Sequence, residues 1–168
     1  MISDSSYDIE DTILPPSSGV LAGLVASLAM TIPVVLLQTF SGLPLTMIFA
    51  RIGSFAMPDS LEKQATLLVS TGIMIHGGMG MLWGLFYAMC QTRIPPRILF
   101  VVGFFYGFIL WVGSTVLFGW LMDETLRSSL RSWPWLLASL IYGLCLAAVA
   151  FWVEVRRPVE TMQAVPLD

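Results

Sequence analysis

Four stretches of this sequence, about 20–40, 67–90, 98–122 and 133–153, run without a single Asp, Glu, Lys or Arg. Each meets the roughly 20 apolar residues that a helix needs to cross the hydrocarbon of a bilayer. The composition agrees: 57% of the residues are hydrophobic and 11% charged, where a soluble domain carries about a quarter charged residues. These spans predict an all-α fold, an integral membrane four-helix transmembrane bundle over residues 19–155. An acidic polar arm precedes it at 1–18, and a polar tail follows at 156–168.

The arm carries Asp4, Asp8, Glu10 and Asp11 with no basic residue. A secretory signal opens on a basic region, so the first span is expected to remain as a transmembrane helix. The net charge of −3 comes largely from this arm, and nothing suggests a nucleic-acid footprint. Cys90 and Cys145 lie in or at the end of spans and read as small apolar residues rather than a disulfide or a metal pair. Basic residues divide evenly between the two sides. Arg93, Arg97, Arg156 and Arg157 face Arg51, Lys63, Arg127 and Arg131. The first set hugs the span ends more closely, so both termini are expected in the cytoplasm.

Within the first span Pro33 lacks the N–H that would bond the Ala29 carbonyl, so a bend is expected there. In the connection that follows, Leu45, Ile48, Phe49 and Ile52 fall at i, i+3, i+4 and i+7. That stripe predicts a short amphipathic interfacial helix between the first two spans, lying in the membrane surface or folding back over the bundle. Asp59 with Glu62 three residues later resembles a helix start. A second helix running from there to Cys90 would measure about 46 Å and would tilt or project. "QTRIPPR" makes a tight second loop, its prolines keeping the second and third spans apart. Asp123 and Arg127 form an i, i+4 pair in the third loop, and Pro134 opens the fourth span.

Every span carries a column of small residues at four-residue spacing: Gly19, Gly23, Ser27 and Thr31; Gly72, Gly80 and Gly84, with His76 among them; Gly103 and Gly107; Ser139, Gly143 and Ala147. Such columns let helix backbones approach closely in lipid, where association relies on van der Waals contact. "GLFYAMC" (84–90) also matches "SLIYGLC" (139–145) in form, which suggests duplication of a two-helix unit. Tyr87, Tyr106 and Tyr142 are expected to bond neighbouring backbone or the headgroup region.

His76 is the one histidine, near the middle of the second span, and Trp83 and Tyr87 share its helical face. Its imidazole has glycine neighbours and therefore space. It could bond a quinone carbonyl, contact lipid, ligate a haem iron or hold the magnesium of a chlorophyll-type pigment. It could equally bond a Ser, Thr or carbonyl of the next helix, with Ser27, Thr31, Ser114 and Thr115 as candidates. The spacing of Gly72 and His76 resembles the small-residue-then-histidine pattern of bacterial antenna polypeptides.

The spans hold no ionisable pair for coupling an ion and no nucleophile–base–acid set. Phosphate-loop, zinc and dinucleotide motifs are missing too. A non-enzymatic protein is expected. "HGGMGMLWGLFYA", "GFFYGFILW" and "LIYGL" resemble the spans of small uncharacterised four-helix bacterial membrane proteins. That resemblance implies a fold and no activity. The functional expectation is a non-catalytic accessory subunit in the bacterial inner membrane. It would pack against lipid, quinone and the other integral subunits of an electron-transfer complex, respiratory or photosynthetic. A pigment- or haem-binding protein using His76 and a channel or transporter for small solutes are the alternatives.

Overall fold

The computed structural model describes residues 16–40, 44, 46–57, 65–91, 94–118, 128 and 131–156. The acidic residues of the arm, the Asp59–Glu62 helix start, the Asp123–Arg127 pair and the tail beyond 156 lie outside the described residues. Those described are helical apart from turns and short connections. The helices are α1 (Pro16–Phe40), α2 (Met47–Ala56), α3 (Ala65–Cys90), α4 (Leu99–Gly113) and α5 (Trp133–Arg156). A 3₁₀ turn, Pro96–Ile98, leads into α4, and a π-helical segment, Ser114–Phe118, continues it. α1, α3, α4 with the start of its continuation, and α5 are each long and apolar enough to cross a membrane. The protein is a multi-pass membrane protein. Helices suit this because a bilayer interior offers no water to satisfy backbone groups. α1 continues through Pro33 to Phe40.

The bundle is two antiparallel helix pairs set side by side. In the first, Gly19 of α1 lies against Gly84 and Ala88 of α3, and Gly23 lies against Gly80 and Gly84. A Cβ on Gly19 would fall 2.5 Å from that of Ala88, and one on Gly84 would fall 2.7 Å from the Gly23 nitrogen. These approaches are open only to residues without a side chain. In the second pair Gly103 of α4 meets Gly143 and Ala147 of α5, and Gly107 meets Ser139 and Leu140. α1 then packs on α5, burying Ala22, Ala26, Tyr142, Leu146 and Ala150 in one core.

The two pairs correct the register of the internal repeat. Gly84 faces Gly19 and Gly23 as Gly143 faces Gly103 and Gly107, and Ala88 meets Gly19 as Ala147 meets Gly103. The equivalent segments are therefore "GMLWGLFYA" (80–88) and "SLIYGLCLA" (139–147). The Tyr-to-Tyr alignment is displaced from this by one helical turn. Small residues at the crossing, rather than the tyrosines, carry the repeat, because they set the distance between backbones.

Of the two courses expected for α2, the structure shows it folded back on the bundle: it runs antiparallel to α3, along its first half. Gly53 sits against Leu68 and Gly72, and Gly72 against the Phe49 backbone, where a Cβ would fall 2.9 Å from the Phe49 Cα. Gly72 thus serves the α2 crossing instead of a contact between two spans. Phe49 lies beside α3 one turn, about 6 Å, from the level of His76. The first turn of α2 therefore reaches close to the middle of α3.

Large apolar side chains face outward on every long helix. α4 shows the densest run, with Phe100, Val101, Phe104, Phe105, Phe108 and Ile109 all exposed. This distribution matches a surface meant for lipid contact.

Two outcomes follow from this packing. Gly84→Ala and Gly107→Ala are expected to lower the melting temperature in detergent. Gly78→Ala, whose Cβ would meet nothing within 4 Å, should leave it unchanged or gain up to about 1 kcal/mol of helix propensity. In a variant lacking Cys90 and Cys145, a cysteine at Ile48 should resist a membrane-impermeant maleimide while one at Ala56 reacts. Rapid labelling at Ile48 would return α2 to the membrane surface.

Candidate functional site

The polar centre of the bundle is built on the α1–α3 crossing. Ser27 and Thr31 stand one turn apart on α1, and a Cβ on Gly80 would lie 2.5 Å from that of Ser27. That close approach brings the His76 ring, one turn earlier on α3, within reach of α1. Its Nε2 lies 3.0 Å from Thr31 Oγ1 and 3.2 Å from the Ser27 carbonyl oxygen. The Thr31 hydroxyl is itself 2.8 Å from that carbonyl.

These three distances select a tautomer. A bare Nε2 would face the Ser27 carbonyl lone pairs with no proton between them. With the proton on Nε2, the N–H donates to Ser27 O and to Thr31 Oγ1, and the Thr31 hydroxyl donates to Ser27 O. Every contact is then attractive. Nδ1 is left as an acceptor, and no bond to it forms among the described residues.

The edge of Phe49 on α2 meets the imidazole, with ring centroids 5.9 Å apart and planes at 68°. His76 borders a small groove with Met30, Thr31 and Val34 of α1, Ile48, Phe49 and Ile52 of α2, and Trp135 of α5. Its volume is about 10 Å³, room for a single water-sized group. A chlorin, haem or quinone ring is far larger than this space. The Trp135 indole N–H has no bonding partner among the described residues.

Trp83 and Tyr87 do not join His76 at the groove. Trp83 packs beside the core against Phe86 at 5.7 Å. Tyr87 is 3% exposed and meets Tyr106 edge to face at 5.0 Å. Its hydroxyl is buried without a bonding partner among the described residues. The other two tyrosines tie the pairs together. The Tyr142 hydroxyl donates to the Gly80 carbonyl and the Tyr106 hydroxyl to the Trp83 carbonyl, each at 2.6 Å. Ser114 and Thr115 turn their hydroxyls onto the Trp111 carbonyl at 2.9 and 2.8 Å, away from His76. The bare helical carbonyls that Tyr106 and Tyr142 reach carried no sequence signal. Ile48, Phe49 and Ile52 were marked by the amphipathic stripe, whereas nothing in the sequence set Trp135 apart.

Chemically, the groove has almost wholly apolar walls beside the His76 ring, and the described residues include no group of His, Cys, Asp or Glu side chains suited to a metal ion. Fold and site together define a small multi-pass helical membrane protein with a polar centre held by helix-to-helix hydrogen bonds. Residues 15–161 match a family of unknown function, DUF6789. The chain belongs to that family. No curated protein and no solved structure matches it at a significant level.

A double-mutant cycle on Thr31→Val and His76→Phe, read by reversible unfolding in bicelles, tests the central bond. A coupling energy of about 0.6 kcal/mol, and up to about 1.7, is expected for an interhelical hydrogen bond in lipid. Strictly additive losses would mean that the two side chains are neighbours only.

Proposed function

We propose that this protein is a non-catalytic accessory subunit that packs against other integral subunits of a larger membrane assembly. One observation carries the reading: α4 packs extensively on α5 alone and leaves a run of aromatic side chains, Phe104, Phe105 and Phe108, exposed. Large rigid aromatics at close spacing offer a second helix more van der Waals contact than a lipid chain does, and that contact is what holds helices together in a bilayer. The polar side chains inside the bundle support the same reading. Thr31, Tyr106, Tyr142 and the His76 Nε2 are engaged with other helices or with their own, as suits a protein whose work is to hold a shape.

The narrower form of the proposal takes the assembly to be a quinol-oxidising respiratory or photosynthetic complex of a bacterial inner membrane. Both termini would lie in the cytoplasm, and catalysis would belong to other subunits. The groove's size speaks against a pigment or haem held on His76. Among the described residues the paired glycine crossings bring helix backbones into direct contact, which speaks against a path for a transported solute.

Purification from native membranes in mild detergent, followed by a native gel and mass spectrometry, is the test. The chain is expected to migrate in a large complex with stoichiometric redox subunits. Phe105→Ala with Ile109→Ala should release it from that complex without changing its own melting temperature. Migration of the wild-type chain alone, at the mass of a monomer or dimer, would remove the proposal. A large complex without redox subunits would remove its narrower form.

A further inference from the structure

We infer that Arg51 of α2 binds the phosphate of an anionic phospholipid at the rim of the bundle. Its depth is fixed by the α2–α3 crossing. Gly53 packs against Leu68 and Gly72, and Gly72 against Phe49. Arg51, midway between Phe49 and Gly53, therefore stands level with Ser70 of α3, about 8 Å along that helix from Ala65. α3 has 26 residues, about 39 Å of helix across a hydrocarbon layer of about 30 Å. With α3 centred in that layer, the Arg51 backbone lies about 3 Å below the hydrocarbon surface.

A guanidinium is a permanent cation, and Arg51 is half-buried. A charge at this level must be paired or must reach the interface. The surrounding helices offer it no carboxylate, for α1, α2, α3 and α4 contain no Asp or Glu. Glu154 of α5 stands at the far end of that helix from Trp135, the α5 residue at the groove beside α2. Arg51 also falls on the outer side of α2. Phe49, Ile52 and Gly53 turn to the bundle, and 100° per residue places Arg51 opposite them.

The anion available to an outward-facing cation at this depth is a lipid phosphate. Its two unesterified oxygens match the guanidinium fork in a bidentate pair. A phosphatidylglycerol-type headgroup carries a net negative charge and neutralises the arginine. In phosphatidylcholine the headgroup's own ammonium already offsets the phosphate. Free inorganic phosphate is too strongly hydrated to leave water for this level, whereas acyl chains hold a lipid phosphate there. Ile73 and Met74, exposed at the next turn of α3, offer apolar surface to those chains. A single chain forms the site, so it does not depend on the assembly proposed above.

The test is lipid competition on the full-length protein, freed of native lipid in dodecyl maltoside. Dioleoyl phosphatidylglycerol and dioleoyl phosphatidylcholine are added in equal amounts, and the bound lipid is read by native mass spectrometry. The first adduct is expected to favour phosphatidylglycerol about fivefold, the bias one basic side chain gives near an anionic headgroup. Arg51→Gln should bring the ratio close to one, and Arg51→Lys, which keeps the charge without the fork, should give an intermediate ratio. Arg97→Gln, which removes an exposed charge at the start of α4, should leave it unchanged. Each variant's fold is checked by its melting temperature. Should the glutamine variant not fold, an undiminished ratio for Arg51→Lys would overturn the inference. Equal adducts on the wild type would overturn it, as would a loss in Arg97→Gln as large as in Arg51→Gln. An undiminished ratio in Arg51→Gln would do the same and would point to Asp59 or Glu62, outside the described residues, as the arginine's partner. Displacement of the lipid by excess inorganic phosphate would show a site for the free anion instead.

Discussion

The distance between the α1 and α3 backbones governs the rest of this molecule. Helices in lipid gain nothing from hiding apolar surface, so they associate where van der Waals contact is dense. Gly19 and Gly23 against Gly80 and Gly84 allow that density. The same solution recurs where Gly103 and Gly107 meet Ser139 and Gly143. Both pairs therefore share one type of crossing, and α2 and the histidine accompany only the first.

Close approach of backbones also decides what polar groups can do. A carbonyl at a glycine-lined crossing is uncovered by side chains and can take a second hydrogen bond from outside its own helix. The Gly80 carbonyl does so from Tyr142, and the Ser27 carbonyl from His76. The Tyr106, Tyr142 and Thr31 hydroxyls and the imidazole Nε2 thus each bond a backbone carbonyl. Such bonds join α3 to α4 and α5, and α3 to α1, so the two pairs are linked by polar contacts as well as by the alanine-rich α1–α5 seam.

The spans were readable at once, since an uncharged run of twenty residues has few other fates. The columns of small residues were equally plain as columns. Their partners were not. Gly72 stands in the same column as Gly80 and Gly84, yet it meets α2 while they meet α1. His76 belongs to both neighbourhoods, its Nε2 turned to α1 and its ring edge against Phe49. Trp83 and Tyr87 share its face by helical geometry, but a helix of this length passes different neighbours along its course. One face is therefore not one site. The repeat shows the same lesson: the tyrosines attract the eye, whereas the glycines set the register.

The amino-acid sequence by itself determined which stretches are long and apolar enough to cross a bilayer, and which residues are small enough to allow close crossings. Those properties depend on composition and periodicity along one helix, and the bilayer enforces them locally. Tertiary structure alone decided that α2 lies along α3, that Ser27 and Thr31 are the partners of His76, and that Trp135 comes to the same groove. Each of these joins residues far apart in the chain. The free energy that selects among such pairings comes from three-dimensional fit between helices, and no single helix carries it.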